Sequence, residues 1–378
     1  MDFQAWRELV GPVAGLGEVD GLSDRAAAAA IDPTRVEGVR AVRSYGSEED
    51  PKRRLWWVRS REDLKREEEL WARALIQVGV RPQDRVLVAL EHPDWNQAVA
   101  AGVAVMGAKA LVSAALGEPA TWEVFRPTVA VMLPKQAYRL GRQGGLGRFE
   151  RVVLWGDIGR SIFRLRAELC PSTTALAEVY ALTEHPGPLA VECPAGQLHW
   201  LREGVAVEWV QPAELRGSAL REVVVTDLEP RALPLYRYRT GDLVEVRDQP
   251  CPCGADGLVS SPVLGRLRDV IWLGGKPVVP KALADAVAGV PGVGEWQVSA
   301  RWDRGRAKDL VAVDLTVEPG HQPESVLENV DRRVQEVSRW LTVRVSAVGE
   351  SALREEPRFS IRDFRPAARA HLRVAQAL

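Results

Sequence analysis

The sequence predicts an α/β protein: a large N-terminal domain of mainly parallel sheets with helices on both faces, an antiparallel β subdomain, and a small α+β C-terminal domain after a hinge. Between Arg85 and Tyr180, short apolar segments alternate with helical ones, which is the pattern of a parallel sheet covered on both faces. After about residue 185, short alternating segments are separated by Pro and Gly, as in antiparallel sheet. The 378 residues, 46% of them apolar, suffice for two or three cores.

Periodicity and turn residues place the individual elements. Ser60 followed by Asp63 predicts a helix start, and apolar residues at helical spacing continue to Gly79. Strands are expected over residues 39–42, 55–58, 85–90, 108–112, 128–133, 151–155, 177–180, 191–193, 197–200, 205–210, 222–226, 243–246, 295–300, 310–317 and 341–348. Further helices are expected over 95–106, near 121, and over 160–169, 280–288 and 322–339. We place the N-terminal domain at residues 1–266, the β subdomain at about 186–264 and the C-terminal domain at 267–378.

Composition and charge limit the classes of function. A net charge of -1, with 27% charged residues, argues against binding nucleic acid by bulk positive charge. The first residues show no basic start followed by an apolar stretch, so a secretory signal is not expected. The most apolar segment, Ala98 to Leu116, carries Lys109 and fits a soluble strand–helix pair better than a membrane span. Four cysteines are too few for a disulfide framework. We therefore expect a cytoplasmic protein.

The most informative stretch runs from Pro234 to Asp242. On the residues alone, a strand delivers Arg239 and Asp242 to a turn at Gly241. A carboxylate at a strand end can accept hydrogen bonds from two vicinal ribose hydroxyls. A solvated aspartate in a Thr-Gly-Asp turn is the more common explanation of such a pattern when it stands alone.

Tyr-Arg-Thr-Gly-Asp at 238–242 resembles the ribose-binding motif of the adenylate-forming (acyl-CoA synthetase-like) superfamily, and its surroundings resemble the phenylacetate–CoA ligase branch. Five other segments resemble that family in the expected order: Tyr-Ala-Leu-Thr-Glu at 180–184, the hairpin at 192–200, Cys-Pro-Cys-Gly at 251–254, the hinge motif at 265–269 and the glycine loop at 274–280. The resemblance covers about residues 36–366 and identifies the chain as a divergent member.

This resemblance implies an AMP-forming acid–thiol ligase. Such an enzyme makes an acyl-adenylate from ATP and a carboxylic acid, here an aryl acid, and its small domain then swings so that coenzyme A can attack. Tyr180 would stack on adenine, Thr183 would contact the α-phosphate, Glu184 would hold Mg²⁺, and Asp242 and Arg266 would bind the ribose. Further nucleotide contacts would come from Ser44, Gly46, Ser47, Asp157 and Arg239. The implied partners are small molecules, without nucleic acid or membrane, and a homodimer is left open.

The phosphate-binding loop departs from the family pattern. Its backbone and hydroxyl groups should surround the β- and γ-phosphates. The segment that follows Ser47 is Glu48, Glu49 and Asp50, and each like-charge contact at ~4 Å costs on the order of 4 kcal/mol at an effective dielectric near 20. Lys52 is the nearest compensating charge. The loop is poorly suited to a triphosphate.

A second departure concerns the adenylation lysine that the family places shortly before a closing Asp-x-Arg. Lys308 is the last lysine of the chain, and Arg362 or Arg358 stands nearest to the expected position. Arginine keeps the charge without the compact ammonium geometry. These departures support an alternative: a catalytically impaired member that keeps the fold, binds AMP or an acyl-adenylate, and acts as a binding or regulatory protein.

The cysteines form another candidate site. Cys251 and Cys253 are separated by one residue, and Cys193 lies near His199 in the preceding hairpin. Cys193 follows Glu184 by nine residues and Cys251 follows Asp242 by nine, so both can reach the distal end of one sheet. Three thiolates and one imidazole are a set that holds structural Zn²⁺. We predict a zinc site with His199 as fourth ligand and His185 as the alternative.

Overall fold

The structure, a computed structural model, describes residues 36, 38–43, 56–113, 119–156, 170–246, 249–273, 276–303, 308–337, 342–349 and 359–363. Its strands are β1 (Arg40–Arg43), β2 (Trp56–Arg59), β3 (Arg85–Ala89), β4 (Lys109–Val112), β5 (Val129–Met132), β6 (Arg151–Trp155), β7 (Ala175–Ala181), β8 (Pro188–Glu192), β9 (Leu198–Trp200), β10 (Val205–Val210), β11 (Leu220–Asp227), β12 (Tyr238–Glu245), β13 (Val259–Ser260), β14 (Gly265–Arg266), β15 (Ile271–Leu273), β16 (Lys276–Val278), β17 (Val293–Asp303), β18 (Lys308–Val317), β19 (Thr342–Ala347) and β20 (Phe359–Asp363). Its helices are α1 (Arg61–Gln77), α2 (Pro93–Val105), α3 (Pro119–Phe125), α4 (Pro134–Arg142), α5 (Pro280–Ala288) and α6 (Pro323–Val337).

The largest sheet has eight strands in the order β13-β9-β8-β7-β6-β5-β3-β4. Strands β3 to β7 pair in parallel, and β8, β9 and β13 extend the sheet in antiparallel fashion. The predicted α/β class with a mainly parallel sheet is therefore confirmed. Because the parallel strands end at one edge of the sheet, the loops after them are the expected place for a ligand.

Helices cover both faces of this sheet. In β3, Val86 and Val88 pack on the side of α1 and α2, whereas Leu87 and Ala89 pack on the side of α3 and α4. All four side chains are fully buried. Alternate strand residues point to opposite faces, so a strand that is apolar throughout must be covered twice.

The capping box predicted at Ser60 starts α1. The Asp63 backbone N–H donates to Ser60 Oγ (3.0 Å), and the Ser60 N–H donates to Asp63 Oδ2 (2.9 Å). Two N–H groups that the first helical turn leaves unpaired are satisfied in this way. Asp63 Oδ2 also accepts the Ala232 N–H (3.0 Å), which ties the helix start to a loop before β12.

A second sheet is antiparallel and contains β10, β11, β12 and β14. The strands between residues 186 and 264 are thus divided: β8, β9 and β13 join the large sheet, and the others form this one. The two groups share a buried core that includes Tyr180, Leu198, Val225 and Tyr238.

The predicted turn at Gly241 is wrong. Strand β12 continues through Gly241, and its pairing with β11 shifts register between Glu222 and Val224. Gly241 has φ +76, a left-handed conformation that glycine adopts without the steric cost of a Cβ. The Thr-Gly-Asp segment is therefore a β-bulge inside a strand, and a bulge redirects the side chain that follows it.

The last described part is an α+β unit. Its sheet has the order β19-β18-β17-β20, with β17 and β18 antiparallel and the outer strands parallel to their neighbours. Helices α5 and α6 pack against it through a core that includes Leu283, Val287, Val326 and Val330. The hairpin of β15 and β16 precedes α5. The domain boundary after residue 266 stays a prediction.

Most predicted elements agree with the structure to within a few residues, and one helix is missed. Helix α4 begins with Pro134, and Gln136 Oε1 accepts the Leu133 N–H (2.9 Å). Proline at the first helical position with glutamine two residues later is a helix-start signal that could have found it. The predicted helix over 160–169 lies outside the described residues. Within the described part of the chain, no helix is long and apolar enough to cross a membrane.

The contact between α1 and α2 depends on Gly102. A Cβ on this residue would lie 2.4 Å from Trp71 Cβ and 3.0 Å from the Ala72 backbone nitrogen, closer than packed atoms allow. We expect Gly102→Ala to destabilise the protein by about 2 kcal/mol, because overpacking outweighs the helix propensity that alanine gains. The thermal midpoint should fall by roughly 4–8 °C.

Val105→Ala is the matched control, since Val105 lies in the same helix and is 52% exposed. Its midpoint should stay near that of the wild-type protein. Equal midpoints for both variants would mean that α1 and α2 can separate at no cost.

Candidate active site

The candidate site lies where the turn after β7 meets β12. We call residues 182–187, which join β7 to β8, the β7–β8 turn. Thr183 and Glu184 lie in this turn, and β12 carries the segment from Tyr238 to Asp242. Glu184 and Asp242 are both buried, at 5% and 4% exposure. Two buried carboxylates in one place need donors close by.

Tyrosine hydroxyls join the two motifs crosswise. The Tyr180 hydroxyl donates to Asp242 Oδ2 (2.7 Å), and the Tyr238 hydroxyl donates to Glu184 Oε1 (3.0 Å). Each tyrosine begins one motif and serves the carboxylate that ends the other. The two motifs therefore form a single hydrogen-bonded unit, although 54 residues separate Glu184 from Tyr238 in the sequence.

Arg266 supplies the positive charge of this unit. It stands opposite Asp242 in the pairing of β12 with β14, and its Nε lies 3.2 Å from Asp242 Oδ1. Burial disfavours the charged guanidinium, but Asp242 and then Glu184 outweigh burial and raise the pKa of Arg266. The predicted ribose pair, Asp242 and Arg266, is thus brought together as an ion pair.

The bulge in β12 is held by Glu222, a buried residue of β11. Glu222 Oε1 accepts the Gly241 N–H (3.2 Å), and Glu222 Oε2 accepts from Arg239 Nε (2.9 Å). The Thr240 hydroxyl donates to a backbone carbonyl of β11 (2.9 Å), and its oxygen accepts the Asp242 N–H (3.0 Å). Arg239, expected to contact nucleotide, therefore fixes the bulge that directs Asp242.

Tyr180 is enclosed by protein in this structure. Its ring packs against Trp200 at 5.3 Å and 64°, and the residue is 8% exposed. Burial, followed by the charge of Asp242, raises the pKa of Tyr180 well above its usual value. The hydroxyl therefore stays protonated and remains a donor to Asp242 at neutral pH. Stacking of Tyr180 on adenine stays a prediction.

Buried polar side chains hold the β7–β8 turn through hydrogen bonds. Arg59, the last residue of β2, donates from its guanidinium to the carbonyl oxygens of Thr183 (2.5 Å) and Glu184 (3.5 Å). His185 Nδ1 lies 3.3 Å from the Gly187 carbonyl oxygen, and its Nε2 lies 3.5 Å from Asp227 Oδ1. Sequence reasoning missed Arg59, Tyr238 and Glu222. The place of Tyr238 in the 238–242 motif could have indicated a role in the site, whereas no sequence pattern indicates such a role for Arg59 or Glu222.

Ionisation beneath the turn is shifted by burial. Burial, and then the charge of Arg231, lowers the pKa of His185 well below its usual value. Burial also raises the pKa of Asp227 to about 6, although Arg231 opposes this shift. His185 is therefore a neutral buried side chain at neutral pH.

Of the remaining predicted site residues, one lies in a described strand. Arg362 lies in β20, opposite Ser299 of β17. Ser44, Gly46, Ser47 and Asp157 lie outside the described residues. Their assigned contacts stay predictions.

A Cys/His cluster lies near the edge of the large sheet. The ligand atoms of Cys193, His199, Cys251 and Cys253 all lie within 4.8 Å of one another. Cys193 Sγ is 3.6 Å from Cys251 Sγ, and Cys253 Sγ is 3.3 Å from His199 Nε2. Ligands at tetrahedral Zn²⁺, with bonds of about 2.0–2.3 Å, stand about 3.3–3.8 Å apart. The donor set fits this metal, and the Cys193–Cys251 and Cys253–His199 distances fall within this range.

His185, the alternative fourth ligand, does not belong to this cluster. Its imidazole is 1% exposed and contacts Gly187 and Asp227. The structure instead places His199, in β9, beside Cys253.

Comparison with known proteins identifies relatives. No family model matches the sequence. A phenylacetate-coenzyme A ligase of Thermus thermophilus is 27% identical over 258 residues, which are 62% of this chain and 56% of the relative. The chain thus spans little more than half the length of that protein.

Solved structures share the fold. A 2-hydroxyisobutyryl-CoA ligase in the postadenylation state, in complex with 2-HIB-AMP, has a TM-score of 0.74 at 17% identity, covering 100% of this chain and 88% of that chain. The anthranilate CoA ligase AuaEII, in complex with anthranoyl-AMP, has a TM-score of 0.60 at 16% identity, covering 85% and 64%.

The named solved structures that share this fold are of one class, CoA ligases in complex with an acyl-AMP. Within this class, the sequence relative and the shared fold support a divergent member of the adenylate-forming superfamily. The resemblance carried by the six motifs is confirmed.

Proposed function

We propose that this protein is an AMP-forming acid–thiol ligase that activates an aryl carboxylic acid with ATP and passes the acyl group to coenzyme A. The observation that carries the proposal is the unit formed by the buried carboxylates of Glu184 and Asp242, two tyrosine hydroxyls and the half-buried Arg266. Buried carboxylates with fixed orientation are costly, and they suit a site for polyhydroxyl and metal ligands. The named relatives support the reaction class.

The site residues have distinct proposed roles. Asp242 accepts hydrogen bonds from the ribose hydroxyls, and Arg266 orients its carboxylate. Glu184 holds Mg²⁺, for which carboxylate oxygens are suitable ligands, and the metal offsets phosphate charge when bound. Thr183 contacts the α-phosphate. Arg362 takes the place of the missing lysine near the reacting carboxylate.

A second candidate function is a binding protein for AMP or an acyl-adenylate. The observation that favours it is the acidic segment Glu48, Glu49 and Asp50 in the predicted phosphate loop. A protein of this kind retains the adenosine half of the site and lacks the activating half.

Calorimetric titration separates the two functions without knowledge of the acid. Comparable binding of AMP and Mg·ATP supports the ligase and justifies a screen of aryl acids by pyrophosphate exchange. AMP binding without Mg·ATP binding supports the second function. Binding of neither nucleotide contradicts both.

The acidic loop leads to a separate prediction. Glu49→Gly combined with Asp50→Lys should raise the affinity for Mg·ATP at least ~10-fold, because carboxylates within ~4 Å of a phosphate cost several kcal/mol. AMP affinity should change little, since AMP lacks the β- and γ-phosphates. Calorimetry measures both affinities.

A charge-matched control excludes a general effect of net charge. Glu324→Gln with Glu328→Lys makes the same change of charge on exposed positions of α6. If this pair raises the Mg·ATP affinity equally, the loop carboxylates are not the obstacle.

We infer in addition that Cys193, His199, Cys251 and Cys253 bind a structural Zn²⁺. With four protein ligands such a site is closed, and it does no chemistry. It would join the β8–β9 hairpin to the loop between β12 and β13. This loop directly follows β12, the strand that carries Asp242. Its proposed role is to hold this loop in place.

A further inference from the structure

We propose that Arg59 is a positioning residue that sets the β7–β8 turn, and through it the geometry of Thr183 and Glu184. This inference rests on the proposed function, because it concerns the residues assigned to phosphate and metal. The hydrogen bonds of Arg59 go to the backbone carbonyls of Thr183 and Glu184. Arg59 therefore acts on the backbone that carries these two side chains.

The contact is specific to a guanidinium. Two nitrogens of Arg59 reach two successive carbonyl oxygens, those of Thr183 (2.5 Å) and Glu184 (3.5 Å). A planar fork can address two neighbouring acceptors at once, which a single ammonium cannot do in the same geometry. Both acceptors are backbone carbonyls of the β7–β8 turn, so this one side chain fixes the turn at two successive residues.

Burial makes the contact strong. Arg59 is 3% exposed, and its Nε has no hydrogen-bond partner among the described residues. The charge is balanced by acids nearby. Burial raises the pKa of Glu67 and of Asp227, and the nearby charge of Arg59 opposes this effect in both. A buried positive charge is stable only with acidic groups nearby and with hydrogen bonds to its guanidinium.

Arg59 also links two predicted parts of the site. Strand β2 pairs with β1 from Arg43↔Trp56 to Arg40↔Arg59, and this hairpin encloses the segment that contains the predicted phosphate loop. The strand therefore borders that segment at Trp56 and holds the β7–β8 turn at Arg59.

A ligand-free measurement tests the inference first. Hydrogen–deuterium exchange of the full chain should show faster exchange in peptides from 179 to 191 in Arg59→Met, by about 10-fold or more, with little change elsewhere. Arg59→Lys should fall between the two, because it retains one donor group. Arg61→Met, at an exposed position two residues further on, should match the wild type.

A double-mutant cycle then tests the role in catalysis. Arg59→Met should lower acid-dependent pyrophosphate exchange at saturating Mg·ATP about 10- to 100-fold, and Arg59→Lys should recover part of the loss. In a Glu184→Gln background the same change should cost no more than about 3-fold, since both act through one turn.

The outcomes separate the two proposals. If the wild-type protein lacks exchange activity, the proposed function fails, and the deuterium measurement alone judges Arg59. Unchanged exchange around the turn in Arg59→Met, or an increase spread evenly over the chain, would overturn the positioning role. So would an additive effect with Glu184→Gln.

Discussion

Asp242→Asn is expected to reduce acid-dependent pyrophosphate exchange at least ~100-fold. The substitution keeps the shape of the side chain but removes the charge that pairs with Arg266 and one of the two acceptor oxygens. The Asn side chain has a single acceptor oxygen, so it cannot accept hydrogen bonds from both the ribose and the Tyr180 hydroxyl. Arg266, whose pKa is raised by Asp242 and Glu184 against the effect of burial, loses its closest anion.

Glu245→Gln is the matched control, because Glu245 lies on the same strand with an exposed side chain. It should keep wild-type activity. Circular dichroism and the thermal midpoint show whether Asp242→Asn is folded. Wild-type turnover in a folded Asp242→Asn protein would contradict the ligase proposal. Loss of AMP binding together with loss of activity would support it.

Loss of the proposed zinc site is expected to have the largest effect on stability. The purified protein should contain about one Zn²⁺ per chain by elemental analysis, and Cys251→Ser should lose it. A metal that binds the folded chain more tightly than the unfolded chain adds its binding free energy to the stability of the fold. A loss of about 3 kcal/mol would lower the thermal midpoint by roughly 6–12 °C.

Cys170→Ser provides the control for a lost thiol. Cys170 is half-buried and lies outside the cluster, with its Sγ near the Thr174 carbonyl (3.6 Å). It should keep the metal and the midpoint. A metal-free wild-type protein that is stable to a chelator would refute the zinc proposal, and the four side chains would then be a cluster of free thiols and an imidazole.

The cluster also shows how far sequence reasoning reaches in placing ligands. The spacing of Cys251 and Cys253 pointed to a pair, and the position of Cys193 in a hairpin suggested a third ligand. The choice between His199 and His185 depended on which side of the hairpin faces the loop after β12. Pairing of Val259 with His199 places that loop beside β9, and no local pattern indicates such a pairing.

The β-bulge is a second case in which local patterns fall short. Thr-Gly-Asp is a common turn sequence, so the segment was interpreted as a strand end. A neighbouring strand with a buried Glu222 keeps the chain extended through Gly241 instead. Tertiary pairing overrides the local preference because it gives the buried Glu222 carboxylate two donors, the Gly241 N–H and Arg239.

The class of fold, the order of most helices and strands, and the two motifs that end in Glu184 and Asp242 can be read from the sequence. These follow from periodicity and from short motifs, which are local properties of a chain. The crosswise hydrogen bonds of the two tyrosines and the contact of Arg59 with the β7–β8 turn, in contrast, depend on the folded arrangement of the strands. Those contacts join residues 54 to 125 positions apart, and such pairs are set by how strands assemble into sheets.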